Sequence, residues 1–196
     1  MLQNIESRDR GGGNRSSAVL LLCCGERQIL LGGDLDFSGW KGVQHNHSGR
    51  IDCDVFAVPH HGASLRQKTA SAAHHEMYES VVKPNIAVVS VGSANRFGHP
   101  DPEHLRALRR AGATILCTQI TDVCCSDLEQ LRPGVRTSHV PGAACSSESR
   151  TSASKRSRHV ACAGSVLVQI GPEHVTVDRL DEHQAGVDRI SKLQGG

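Results

Sequence analysis

The chain has 196 residues, 22 Lys and Arg against 20 Asp and Glu, a formal charge of +2, and only 3% aromatic residues. That length suits one ordinary domain with a sizeable core, and the near-neutral charge expresses no preference for nucleic acid or for acidic partners. No run approaches the roughly 18 apolar residues of a membrane span, and the first residues lack the apolar stretch of a secretory signal, so a cytoplasmic protein without a membrane segment is expected.

With so few aromatics, the core must be built from Val, Ile, Leu and Ala, which suits a β-rich or α/β sheet. Residues 1–13, rich in Gly, Arg and Ser, read as a flexible lead-in. "SAVLLLCC" predicts a buried strand, "GE" a tight turn and "RQILLGG" its return. The polar, Gly-containing segment from Leu35 to Arg50 reads as loop. "CDVFAVP" is the next strand, and a double histidine follows it. Residues 66–82 have helical composition and stop before Lys83-Pro84, because proline cannot continue a helix. "IAVVSVG" is apolar on both faces, the mark of a central strand.

In "HPDPEHLRALRRAG", Asp101 is a helix N-cap, Pro102 the first helical residue and Gly112 the stop, with Leu105 and Leu108 facing inward. "ATILCTQI" is another strand, and the alternation of strands and helices predicts an α/β layer pattern over residues 14–131. From 132 to 160 large apolar residues nearly vanish, which predicts a mobile insertion unable to offset its ordering entropy. Its basic residues (Arg132, Arg136, Arg150, Lys155, Arg156 and Arg158) outnumber Glu148 and read as a solvated face, with a weak nucleic-acid contact as the alternative. Residues 161–182 resume order as a terminal hairpin with Pro172 in its turn, and 183–196 form a flexible tail.

None of the eight cysteines forms a C-x-x-C pair, which argues against a zinc ribbon. Reduced thiols acting as small apolar residues are expected. Cys23 and Cys24, neighbours on a strand, point to opposite faces. A bridge among Cys117, Cys124, Cys125, Cys145 and Cys162 stays open.

Side chains just beyond the carboxyl ends of strands gather at the functional edge of an α/β sheet. Those ends carry Asp34, the pair His60-His61, the stretch Ser90 to Asn95, and His99. A carboxylate with imidazoles suits zinc or another divalent transition metal. Any of these residues alone has a bland reading: Asp34 as a turn cap, His99 as a loop donor, a double histidine packed at a strand end.

Taken together, "NRSSAVLLLCCGERQILLGGD", "DVFAVPHHGAS" and "AVVSVGSANRFGHPDPEHLRAL" resemble the carboxyl-terminal half of the metallo-β-lactamase-fold hydrolase domain of ComEC-type DNA-uptake proteins. The resemblance covers residues 14–118, with a weaker echo in "CAGSVLVQI". It implies an αββα sandwich, of which this chain supplies a mixed sheet with flanking helices. It also implies one or two zinc or manganese ions and hydrolysis of a phosphodiester, DNA among the substrates. Position by position, Asp34 matches the acid that bridges two metals and His61 a metal ligand, with His60 shaping the pocket or touching substrate. Asn95 and His99 match the N-x-x-G-H-P loop, where an imidazolium or an amide would steady charge on a phosphate oxygen. Ala63 stands where the family often has Ser, with Ser64 next.

The family gathers most ligands from an H-x-H-x-D-H motif and a later His, both upstream of the bridging Asp. No histidine precedes Asp34 here, and "HNH" at 45–47 lies after it and lacks the following Asp-His. The resemblance therefore implies a half-built metal site and an apolar sheet face awaiting a missing amino-terminal half or a second copy. It leaves a partial metal-dependent hydrolase, inactive without its missing ligands, beside an inactive remnant or binding module that keeps the half-fold.

Overall fold

The computed structural model describes residues 2–5, 14, 17–47, 51–64, 76–93, 95–121, 123–124, 162–178, 183 and 187. Strands β1 (Leu2–Ile5), β2 (Val19–Cys24), β3 (Arg27–Leu31), β4 (Val55–Ala57), β5 (Ile86–Val89) and β6 (Thr114–Cys117) form one sheet in sequence order. β1, β2 and β3 pair antiparallel, and β3 to β6 pair parallel. A separate hairpin joins β7 (Val168–Ile170) to β8 (Val175–Val177), with Pro172 in the turn as expected. The fold is thus α/β with a mixed sheet.

Two expectations are corrected. Leu2–Ile5, placed in a flexible lead-in, pair with β2 and satisfy backbone groups that an edge strand would leave open. The segment read as loop after Leu35 holds helix α1 (Phe37–His47). Asp36 starts it by accepting the Gly39 N–H (2.9 Å). Leu35, Trp40 and Val43 are buried, so packing outweighs the low helix propensity of the glycines and polar residues between them. "HNH" forms the last turn of α1, where residues two apart point to different sides. The second helix, α2 (Pro102–Arg110), is capped as expected: the Asp101 carboxylate accepts from the N–H groups of Glu103 and His104. Leu105 and Leu108 are fully buried. Of the helix expected over 66–82, the described part is a π-helical segment, Met77–Val82, ending at Lys83 in the left-handed region. The insertion at 132–160 lies outside the described residues.

Consecutive parallel strands that advance in one direction need right-handed crossovers, which place every crossover helix on the same face. The core follows that rule. Trp40 and Val43 of α1, Met77 and Tyr78, and Leu105 and Leu108 of α2 pack on Leu21, Leu30, Phe56 and Ala87. Phe56 sits between Trp40 and Tyr78, with ring centroids 5.7 and 5.8 Å away. On the opposite face Ile29, Val55 and Leu116 are buried, while Leu20, Leu22, Leu31, Ala57, Ile86 and Val88 are only half-buried. The β7–β8 hairpin reaches one end of that face, where Arg27 donates to the Glu173 carbonyl (3.1 Å). Among the described residues no helix is long and apolar enough to cross a membrane.

Six cysteines are described, and none of these six is in a disulfide. Cys124 is held at about 6 because the Cys117 thiol donates to it, while burial pushes Cys162 up to about 12. Cys125 and Cys145 lie outside the described residues.

One buried polar contact joins two crossovers. His104 is fully buried in the first turn of α2. Its Nδ1–H donates to the Ala63 carbonyl (2.9 Å), which leaves Nε2 to accept the Tyr78 hydroxyl. The two rings stack at 5.5 Å. Burial raises the Tyr78 phenol well above its usual range, so it stays a donor. Tyr78→Phe removes the only change of substance, the O–H that His104 accepts, and should cost about 1–3 kcal/mol. Urea unfolding would measure it; an unchanged midpoint would contradict the bond.

Candidate functional site

The carboxyl ends of β3, β4 and β5 lie side by side because the three strands are parallel and in register, with Leu31 beside Ala57 and Ala57 beside Val88. The ladder continues past the strands: Gly32 N–H donates to the Ala57 carbonyl (3.0 Å) and His60 N–H to the Gly33 carbonyl (2.9 Å). Gly33 has φ +56, and a Cβ there would lie 2.6 Å from the Ala18 carbonyl oxygen. The turn that delivers Asp34 is therefore tight against β2, and the Asp34 N–H donates to Ser17 Oγ (2.9 Å).

After β4 the chain makes an unusual turn. His60, His61 and Gly62 all have positive φ, at 50, 56 and 70°. For the two histidines this conformation costs about 1–2 kcal/mol per residue, and such strain gathers at functional sites. The turn is fixed by Ala63 N–H on the His60 carbonyl (2.8 Å) and Asp101 N–H on the Gly62 carbonyl (2.7 Å). It is also fixed by the His104 bond to Ala63.

The result is that His61 Nε2 lies 3.5 Å from Asp34 Oδ1. Both side chains are about half exposed, at 52 and 59%, so a ligand can reach them. His61 Nδ1–H donates to the Ser90 carbonyl at the end of β5 (2.8 Å), which orients the ring and assigns Nε2 to the Asp34 side. His60 turns the other way and accepts from the Asn14 amide at Nε2 (2.9 Å).

The loop after β5 completes the rim. Asn95 Nδ2 donates to the carbonyls of Gly92 and His99, and its Oδ1 accepts the His99 N–H, each at 2.8 Å. Both amide hydrogens are thus taken within the loop, whose shape Asn95 fixes. The His99 ring lies edge-on to His60 (5.7 Å) and stacks on Phe97 (5.7 Å). Burial pulls the His99 imidazole below its usual 6.5, and His60 and His61 push the same way against Asp101. The shift favours the uncharged ring. Ala63 is buried and Ser64 exposed. Among the described residues no group of three or more His, Cys, Asp or Glu is arranged to hold a metal ion.

The chain is similar to competence proteins. ComE operon protein 3 of Bacillus subtilis (strain 168) is 32% identical over 113 residues, 58% of this chain and 14% of that protein. Competence protein ComA of Neisseria gonorrhoeae is 30% identical over 108 residues, 55% of this chain and 15% of that protein. The chain therefore spans only 14–15% of the length of these relatives. No family model and no solved structure matches it.

Asp34, His60, His61, Asn95 and His99, chosen from sequence, thus meet at one rim. Sequence reasoning missed their supports: Asn14, Ser17 and the buried pair Tyr78–His104. The hint in the sequence was that Asn14 and Ser17 lie just ahead of β2, whose neighbour β3 leads into the turn that carries Asp34.

Two measurements test this geometry. Gly62→Ala would place a Cβ 2.8 Å from Pro100 Cβ at φ +70, and should lower unfolding stability by about 1–3 kcal/mol. Wild-type stability in that variant would deny the turn. His99, followed by NMR, should titrate with a midpoint below 6.5. Because the unfolded ring binds its proton more readily, its contribution to stability is present above pH 6.5 and lost as pH falls through the folded midpoint. His60→Ala should move that midpoint up; a wild-type midpoint at or above 6.5 would refute the assignment.

Proposed function

We propose that this chain is the carboxyl-terminal half of a metallo-β-lactamase-type αββα hydrolase that cleaves phosphodiester bonds, DNA being the substrate class. Asp34 and His61 supply part of its metal site. The supporting motifs are "ILLGGD", "VPHHG" and "NRFGHP", in family order, and the likeness to competence proteins.

The observation that carries this reading is the Asp34–His61 contact. With Nδ1–H given to Ser90, Nε2 is the ring nitrogen that faces the Asp34 carboxylate, and a cation between the two would take both as donors. Donors about 2.1 Å from a tetrahedral ion stand about 3.4 Å apart, close to the 3.5 Å found. Zinc or manganese fits the imidazole–carboxylate set. When bound, such an ion polarises the phosphoryl group and activates water. The chain's own residues then do the rest: His99, neutral, offers a ring N–H to a phosphate oxygen, and His60 walls the pocket between Asn14 and His99.

The donor set is incomplete, since catalytic zinc takes at least three protein ligands. Further donors would come from a segment outside the described residues, in the same polypeptide or on a partner. The half-buried sheet face around Leu20, Leu31 and Val88 is where it would pack. A second reading, an inactive binding module, is favoured by the lack of a three-donor cluster among the described residues.

Calorimetric titration of Mn²⁺ and Zn²⁺, with and without a segment bearing H-x-H-x-D-H, separates the two. Weak binding by the chain alone should tighten with that segment, and DNA cleavage should appear. Asp34→Asn and His61→Ala should each remove more than the roughly 10–100-fold that outer-shell changes cost. Robust cleavage by the chain alone would overturn the half-site, and indifference of both variants would favour the binding module.

A further inference from the structure

We infer that the tip of the loop after β5, Arg96-Phe97, is a stacking platform for an unpaired nucleobase, so that the substrate is single-stranded nucleic acid. The inference rests on the phosphodiesterase reading and narrows its substrate.

Phe97 is 66% exposed, the largest exposure among the large hydrophobic residues described. It contributes nothing to the core, yet it is held firmly. Asn95 ties both stems of the turn together through Gly92 and His99, and the Gly98 N–H adds a bond to the Asn95 carbonyl (3.4 Å). One face of Phe97 stacks on His99 with the rings 14° from parallel, and the Arg96 guanidinium lies 4.8 Å from its centroid. The His99 ring in turn meets His60 edge-on, beside His61 and Asp34. A run of ring contacts therefore leads from the exposed tip through His99 to His60, the chain neighbour of His61.

Each element of that column has a use for a nucleotide. A base is a flat π system that would take the place of Arg96 against Phe97, and the freed guanidinium would meet the adjacent phosphate. Stacking of this kind tolerates any base. A base inside a duplex is already stacked and cannot reach a side ring, so the platform selects unpaired strands. A peptide or lipid ligand would use the aromatic ring but not the neighbouring neutral His99 and the paired donors at the rim.

Fluorescence anisotropy on the full chain tests this with a labelled oligothymidylate, an abasic strand of the same length and phosphate count, and a blunt duplex. The oligothymidylate should bind about fivefold or more tighter than the abasic strand, from the usual worth of one stacked base, and tighter than the duplex. Phe97→Ala should erase the difference between the two strands while Phe97→Trp keeps it. Circular dichroism should show both variants folded, since the ring lies outside the core. Equal affinity for thymidylate and abasic strands, or a Phe97→Ala variant that still discriminates, would overturn the platform and leave backbone binding intact. Absence of binding to any strand at low salt would overturn it too. Metal binding by Asp34 and His61 is measured separately, so the platform and the metal reading fail independently.

Discussion

The site depends on the register between β3 and β4. Leu31 beside Ala57 ends the two strands at one level, and the bonds from Gly32 to Ala57 and from His60 to Gly33 carry the ladder beyond them. Asp34 and His61 reach the same height only because of this. A slip of one residue would shift one strand end by about 3.3 Å and reverse the faces of all its side chains. The 3.5 Å contact would be lost together with the core packing of Leu30 on Phe56. Stability and site geometry are therefore set by the same pairing.

The left-handed turn at His60-His61-Gly62 shows how that geometry is enforced. Two non-glycine residues in this region are unfavourable, and the local bond from the Ala63 N–H to the His60 carbonyl is joined by support from outside the turn: Asp101 bonds Gly62, and His104 bonds Ala63. Both belong to the start of α2, whose Leu105 and Leu108 are locked in the core. The helix thus acts as a brace, and the carboxylate of Asp101 serves it as N-cap while the backbone of the same residue holds the turn. A rim residue such as His61 is aimed by side chains that never touch a ligand.

Much of this was legible in the sequence, and the exceptions have physical causes. β2 to β6 were readable from apolar runs bounded by turn residues, and α2 from Asp101, Pro102 and Gly112. α1 was hidden because Gly39, Gly42, His45 and Asn46 dilute its apolar spacing; its stability lies in the burial of Trp40 and Val43, which only the fold supplies. β1 was hidden because its partner's ladder, not its own pattern, makes it a strand. His104 looks like a surface residue between Glu103 and Arg106. Its burial depends on Tyr78, 26 residues away. Asp34, His61 and His99 were found because strand ends are marked in sequence, whereas Asn95's role could not be separated from that of a ligand without its bonds.

The sheet itself sets the terms for anything that completes the site. All crossovers lie on one face, so the other face keeps Leu20, Leu22, Leu31, Ala57, Ile86 and Val88 half-buried. Leu31 and Ala57 on that face are also the last residues before the Asp34 and His60-His61 turns. An element that packed on those two residues would end beside the acid–imidazole pair, where it could present further donors. On the metal-site proposal, the half-buried residues of this face and the incomplete donor set among the described residues are adjacent ends of one surface, which a single added layer would answer. A layer that covered only the hairpin end, near Arg27 and Glu173, would bury area without reaching the rim.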